Sequence, residues 1–334
     1  MPSSLLRALC IGRILQTGEG HNQALDELRQ IPPHTAPIPE AADEDQAFLE
    51  SEFLEVIGRC SKDRWRPHML PFGIRSVTPR PRELIVRVPK EFLPDIIRSV
   101  MPAWLAEDED SDPEVSGIPG LRAQYRCGRI ILKRPGFTGC IVIPSPSSRW
   151  RKAVLVVADL LGGEREIRMP WITQPNEWHP AEVSWVESWS AHYSTSSWQY
   201  RNSQFPSQIL RRLPGLCPAP RARHHDLWVN RVGDTCSIQF EWSIGAPHNV
   251  LLSRLLDPVF GPGARITPHH GQSMADCLAD SASRVRAESS RFPASWIDLR
   301  RAVWDEHLDD DAMIRTFGER RRSLRDAVEE NYEY

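Results

Sequence analysis

Three sets of side chains in this sequence are of types that could do chemistry or recognition. Two histidine pairs, His224-His225 beside Asp226 and His269-His270, could hold a metal or move protons, because imidazole titrates near neutrality and joins carboxylates as a common ligand. Neighbouring residues on a strand point to opposite faces, so at most one histidine of each pair would face a shared site. Arg129, Lys133, Arg134 and Phe137 place cations around one aromatic ring, a combination that can pair phosphates and stack a base. Trp178, Trp185, Trp189 and Trp198 crowd one Pro-rich stretch, and clustered tryptophans suit the anchor of a protein interface.

Two longer patterns resemble known families. Arg134, Gly136, Phe137, Gly139, Cys140 and Ile141 resemble the basic-Gly-aromatic-Gly-aromatic strand of RNA-recognition modules, with extra residues at Pro135 and Thr138 and Cys140 in an aromatic position. That resemblance implies base stacking on an open sheet face, with one ring where such modules use two or three. Arg126, Ser194-Thr195-Ser196 and Gln239-Phe240-Glu241 resemble the ADP-ribosyltransferase signature. The resemblance implies NAD held by Arg126 and the Ser-Thr-Ser strand, with Glu241 stabilising an oxocarbenium ion. A nuclease-like His, Asn, His order runs through His225, Asn249 and His269, without the cysteines that often accompany it.

Other chemistry has no motif. Gly261-Pro262-Gly263 lacks the lysine and the spacing of a phosphate-cradling loop, and no Gly-x-Ser-x-Gly elbow occurs. The seven cysteines, Cys10, Cys60, Cys127, Cys140, Cys217, Cys236 and Cys277, include no CxxC pair, so neither a zinc knuckle nor a disulfide framework is indicated, and a reducing compartment fits best. Cys127 and Cys140 are expected to face each other across a hairpin. No cofactor and no metal are expected.

The elements that position these residues centre on Glu83 to Trp171. Glu83 to Val88 reads as a strand between prolines. Leu93, Ile96, Ile97, Val100, Met101 and Trp104 recur at helical spacing, with Pro94 tolerated in the first turn and Pro102 as the stop. The acidic run from Glu107 to Glu114 reads as a solvated loop. Tyr125 to Lys133 and Phe137 to Ile143 read as two strands turned over Arg134-Pro135-Gly136. Ser147-Ser148 can cap a helix bearing Trp150, Val154, Val157 and Leu161, although the unbroken run Ala153 to Ala158 also suits a buried strand. Glu164 to Trp171 would close a ferredoxin-like βαββαβ unit.

Helices are expected before this unit at about Ser4 to Ile14, Asn22 to Ile31 and Glu44 to Gly58, with a Pro-rich joint from Ile31 to Pro39. After it, Trp185 and Trp189 are four apart and could share a helical face. Pro214 to Pro220, with Gly215, reads as a linker or a tight connection. Asp226 to Val232 and Thr235 to Ser243 make a hairpin over Gly233-Asp234. Helices are expected at Val250 to Leu256, Ser273 to Glu288, Ser295 to Leu308 and Asp310 to Glu330, the last with Arg320, Arg321, Arg322 and Arg325 on a solvated face.

The totals bound the function classes. A formal net charge of −3 argues against a surface built as a whole to hold a duplex, while leaving room for a local basic patch. No run approaches the roughly 20 apolar residues of a membrane span, so no membrane partner is expected, and the expected location is cytoplasmic. The basic, apolar N-terminus resembles a transit peptide slightly and an ordinary amphipathic helix more closely.

The sequence thus predicts an α+β chain in three regions: helical at 1–75, α+β with a Trp-rich extension at 76–213, and a hairpin with helices at 214–334. The favoured function is a non-catalytic subunit or adaptor working through protein contacts at Trp178, Trp185, Trp189 and Trp198, within a nucleoprotein assembly in one version. The alternatives are RNA or single-strand binding at Arg129, Lys133, Arg134 and Phe137, or an ADP-ribosyltransferase-like or His-dependent metal enzyme.

Overall fold

The run Leu84-Ile85-Val86 can be buried on both sides only if it lies inside a sheet, and it does. In the computed structural model, which describes residues 3–32, 34–59, 70–105, 115–161, 167–173, 176–192, 203–216, 224–232, 235–243, 248–268, 273–278, 284–292 and 294–302, strands form two five-membered sheets and one two-membered ribbon. The first sheet contains β1 (Ser76–Arg80), β2 (Glu83–Arg87), β4 (Arg122–Arg126), β5 (Arg129–Lys133) and β6 (Cys140–Pro144), in the spatial order β1-β2-β6-β5-β4. β2 and β6 are parallel and the other neighbours antiparallel.

Parallel neighbours need a crossover. Here it includes α4 (Leu93–Val100), whose Ile96 and Ile97 join α5 (Ser147–Leu161), through Ala153 and Val157, over Leu84, Val86, Ile130, Leu132, Ile141 and Ile143. The expected helix over 148–161 is present, so the run Ala153 to Ala158 is helical.

The ferredoxin-like expectation needs correction at its fourth strand. Ile167–Arg168 (β7) leaves the sheet to pair with Trp104–Leu105 (β3), and β1, from before the predicted unit, occupies the edge beside β2. The segment after β7 turns at once into α6 (Pro170–Thr173), where Trp171 packs on Trp150 with ring centroids 6.3 Å apart. Burying two indoles there outweighs extending a two-residue strand.

The turn expectations shift as well. Residues 125–133 are two strands, not one, because Cys127 (φ 47°) and Gly128 (φ 74°) both take the left-handed conformation of a two-residue hairpin turn. β5 and β6 pair from Lys133↔Cys140, so Phe137 lies in the connecting loop and not on a strand. Cys127 is exposed in the first turn while Cys140 pairs with Lys133, so the two thiols do not face each other.

Three N-terminal helices, α1 (Ser3–Thr17), α2 (His21–Gln30) and α3 (Glu44–Arg59), form as expected. α3 joins the two sheets. Its Gln46 side chain accepts from the Cys140 N–H at 2.8 Å and donates to the Cys140 carbonyl at 3.1 Å, closing on β6 as a neighbouring strand would. Its Glu50 takes a bidentate pair from Arg211, both groups fully buried, and Ser207 adds a hydrogen bond of 2.6 Å. A Cβ on Gly58 would lie 2.4 Å from the Leu227 carbonyl of the second sheet, so glycine is what permits that approach. Ser207 lies within α8 (Gln204–Leu210) and Arg211 at its C-cap, and α9 (Leu213–Leu216) follows, a helical turn where a linker or tight connection is expected.

The second sheet has the order β10-β11-β12-β9-β8, from β8 (His224–Val232), β9 (Thr235–Ser243), β10 (Ala264–Thr267), β11 (Arg284–Ser289) and β12 (Ser295–Ala302). The β8/β9 hairpin is the expected one. β11 and β12 replace the predicted helices over 273–288 and 295–308, of which only α11 (Met274–Leu278) is helical among the described residues. The cause is visible in burial. Val285, Ala287 and Ser289 alternate inward, as do Ile297 and Leu299, and tertiary packing at period two overrides the helix propensity of Arg, Ala and Glu.

α10 (His248–Leu255) packs Leu251, Leu252 and Leu255 into one core shared with both sheets. The acidic run and the Asp310–Glu330 expectation lie outside the described residues. No described helix is long and apolar enough to cross a membrane.

Candidate functional site

The Trp-rich segment is anchored by buried charge. Arg122 on β4 and Glu182 on α7 (Pro180–His192) meet at 2.6 Å with both side chains fully buried. Glu182 also accepts the backbone N–H of Gly120 at 2.8 Å and of His179 at 2.9 Å. The second bond, with the Ala181 N–H donated to His179 Nδ1, makes a reciprocal cap at the start of α7. The His179 ring lies 4.8 Å from Trp104.

This anchor delivers Trp178 to Arg134. The guanidinium stands 5.0 Å from the Phe48 ring, 5.6 Å from Trp178 and 5.7 Å from Phe137, and it pairs with Glu52 at 2.6 Å. Trp178 donates its indole N–H to the Pro135 carbonyl, and Arg134 donates to the Pro119 carbonyl. An aromatic cage of this kind commonly receives a ligand cation, and here the chain's own arginine occupies it.

The sequence-predicted residues therefore divide. Trp178 and Arg134, assigned to different partners, are brought into one internal cluster with Phe137. Arg129 is exposed and Lys133 half-buried on β5, on the face of the sheet opposite α4 and α5. Trp185 is half-buried on α7, Trp189 belongs to the same helix, and Trp198 lies outside the described residues, as do Ser194-Thr195-Ser196 and His269-His270. Arg126 belongs to the first sheet and Glu241 to the second; His225 pairs in register with Trp242 on the same second sheet. Among the described residues no group of three His, Cys, Asp or Glu could hold a metal ion.

Two features escaped the sequence reading. His248 is fully buried, its ring 4.9 Å from Trp242, and burial above all pushes its pKa down to about 4. Nothing local in the sequence marks it. The other is the outer face of α5, whose inward residues Ala153 and Val157 leave Leu155 at 63% and Leu160 at 53% exposure, with Val156 half-buried between them. That signal was present in the sequence as the run that suited helix and buried strand equally.

No protein-family model, curated protein or solved structure matches this chain.

Proposed function

We propose that the chain is a non-catalytic subunit or adaptor that works through contact with another polypeptide, and that the outer face of α5 is its contact surface. The observation behind this reading is that α5, which sits in a surface layer, runs from Ala153 to Ala158 without a polar residue and adds Leu160 and Leu161 after Asp159, so apolar side chains face outward as well as inward. A helix with that pattern is ordinarily buried on all sides, and Leu155 and Leu160 are not.

The outer arc also carries Lys152 and Asp159, both exposed. One charge of each sign among leucines suits the mixed composition of a protein interface; an anionic lipid surface would repel Asp159. Trp178 is used internally, which moves the expected surface from the tryptophans to the helix before them.

The test places a photo-crosslinking amino acid at position 155 of the full chain in its native cells, with Val259, exposed elsewhere, as the control position. We expect a product with one other polypeptide from position 155, absent from position 259 and lost with Leu160→Glu. Identical products from both positions, or products with the chain itself alone, would remove the reading.

A further inference from the structure

One end of the first sheet concentrates cations that pair with no acid among the described residues. The register runs Arg126↔Arg129, then Arg129↔Pro144, and continuing the β2/β6 pairing of Leu84↔Ile141 and Ile85↔Val142 brings Arg87 beside Pro144. Residues opposite one another in register project to the same face, so Arg126, Arg129 and Arg87 share the face away from α4 and α5. All three are exposed.

The row continues round a corner. The Ser145 N–H donates to the Gly128 carbonyl at 2.9 Å, which ties the β4/β5 turn to the chain just before α5. The first turns of α5 then present Arg149, Arg151 and Lys152, all exposed, and carry no acid. Among the described residues none of these six cations makes an ion pair.

The opposite end of the same sheet shows the contrast. There Arg80 pairs with Glu27 and Glu83, Arg122 with Glu182, and Arg134 with Glu52. Cations at a helix N-terminus also oppose its dipole, so α5 gains nothing locally from Arg149, Arg151 and Lys152. Flanking the row, Arg75 and Lys90 are exposed, with Glu91 and Asp95 following Lys90.

We infer that this sheet end is a binding surface for the phosphate backbone of single-stranded nucleic acid. The three sheet arginines span about 14 Å at ordinary strand spacing, a distance that suits successive phosphates better than one small anion. Following the row from the sheet face onto α5 requires a ligand that bends within that distance; a duplex, with a persistence length of about 50 nm, does not. No aromatic ring belongs to the row, so binding is through charge and independent of base identity. The face proposed here differs from the Arg134–Phe137 cluster, whose arginine is already paired.

The experiment is fluorescence anisotropy of a labelled oligouridylate of about 20 nucleotides with the full chain. We expect binding whose log affinity falls against log salt with a slope of magnitude up to about 4, from six cations at roughly 0.7 each. The triple variant Arg87→Gln/Arg126→Gln/Arg129→Gln should lose about 10²-fold in affinity at low salt and about 2 in slope. Arg7→Gln/Arg82→Gln, which removes exposed cations elsewhere, should bind like the wild type. Absence of binding at low salt, or equal affinity of the triple variant, overturns the inference. Tighter binding of the corresponding duplex overturns the single-strand assignment. The crosslinking at position 155 is unaffected by any of these outcomes, so this surface and the polypeptide contact stand or fall separately.

Discussion

Arg126 and Arg129 stand directly opposite each other across the β4/β5 ladder, one on each side of the Cys127-Gly128 turn, and both are exposed without an ion pair among the described residues. Like charges in opposed positions work against a hairpin. Two cations without an ion pair at the tip of a tight turn are what a site for an anion would require.

Arg129→Glu would convert that repulsion into a cross-strand attraction. We expect the variant to be more stable by about 0.2–1 kcal/mol in urea titration while losing affinity for the oligouridylate. A variant that gains stability and binds undiminished would show that the pair has no part in binding.

Glu182 holds Arg122, two backbone N–H groups and the start of α7 together, and both its carboxylate and the Arg122 guanidinium are fully buried. Glu182→Ala leaves the guanidinium buried without its counter-charge, and such losses cost about 3–5 kcal/mol. Chemical denaturation should show that loss, accompanied by a change in tryptophan fluorescence as Trp178 leaves Arg134. A loss below about 1 kcal/mol, the scale of exposed pairs, would mean that the pair is solvated.

His248 makes stability depend on pH. Its folded pKa, about 4, lies below the ordinary value of 6.5, chiefly through burial, with the Arg301 charge acting in the same direction and the nearby Leu299 backbone opposing. The unfolded chain therefore binds the proton more readily. The His248 contribution is complete above pH 6.5 and is lost as pH falls towards 4, by on the order of 2 kcal/mol. His248→Phe should flatten the stability profile between those limits. An unchanged slope there would assign the acid sensitivity to other groups.

Much of the secondary structure was legible locally. The prolines around β2, the three- and four-residue spacing of α4 and the alternation of Ile238, Phe240 and Trp242 each carry their information within a few residues. The region from Ser273 to Ala302 was misread because Arg, Ala and Glu favour a helix in isolation; only the neighbouring strands of the second sheet make the two-residue alternation of Val285 and Ala287 pay. The turn at Cys127-Gly128 lies inside a stretch that reads as one strand from Tyr125 to Lys133, and the left-handed conformation of Cys127 is imposed by the pairing on either side.

Propensity and periodicity between near neighbours account for the α+β composition, the first three helices, the α4 helix and the second-sheet hairpin, while the run Ala153 to Ala158 in α5 suits helix and strand alike until its packing partners are known. Tertiary structure decided the rest. It chose β1 over β7 for the sheet edge, set Arg134 inside a ring of Phe48, Phe137 and Trp178, left Leu155 and Leu160 uncovered, and gathered Arg87, Arg126, Arg129 and the α5 cations at one end. Those outcomes depend on which distant residues meet, and on the low dielectric that makes a buried arginine keep its carboxylate while an exposed one can stand unpaired in water.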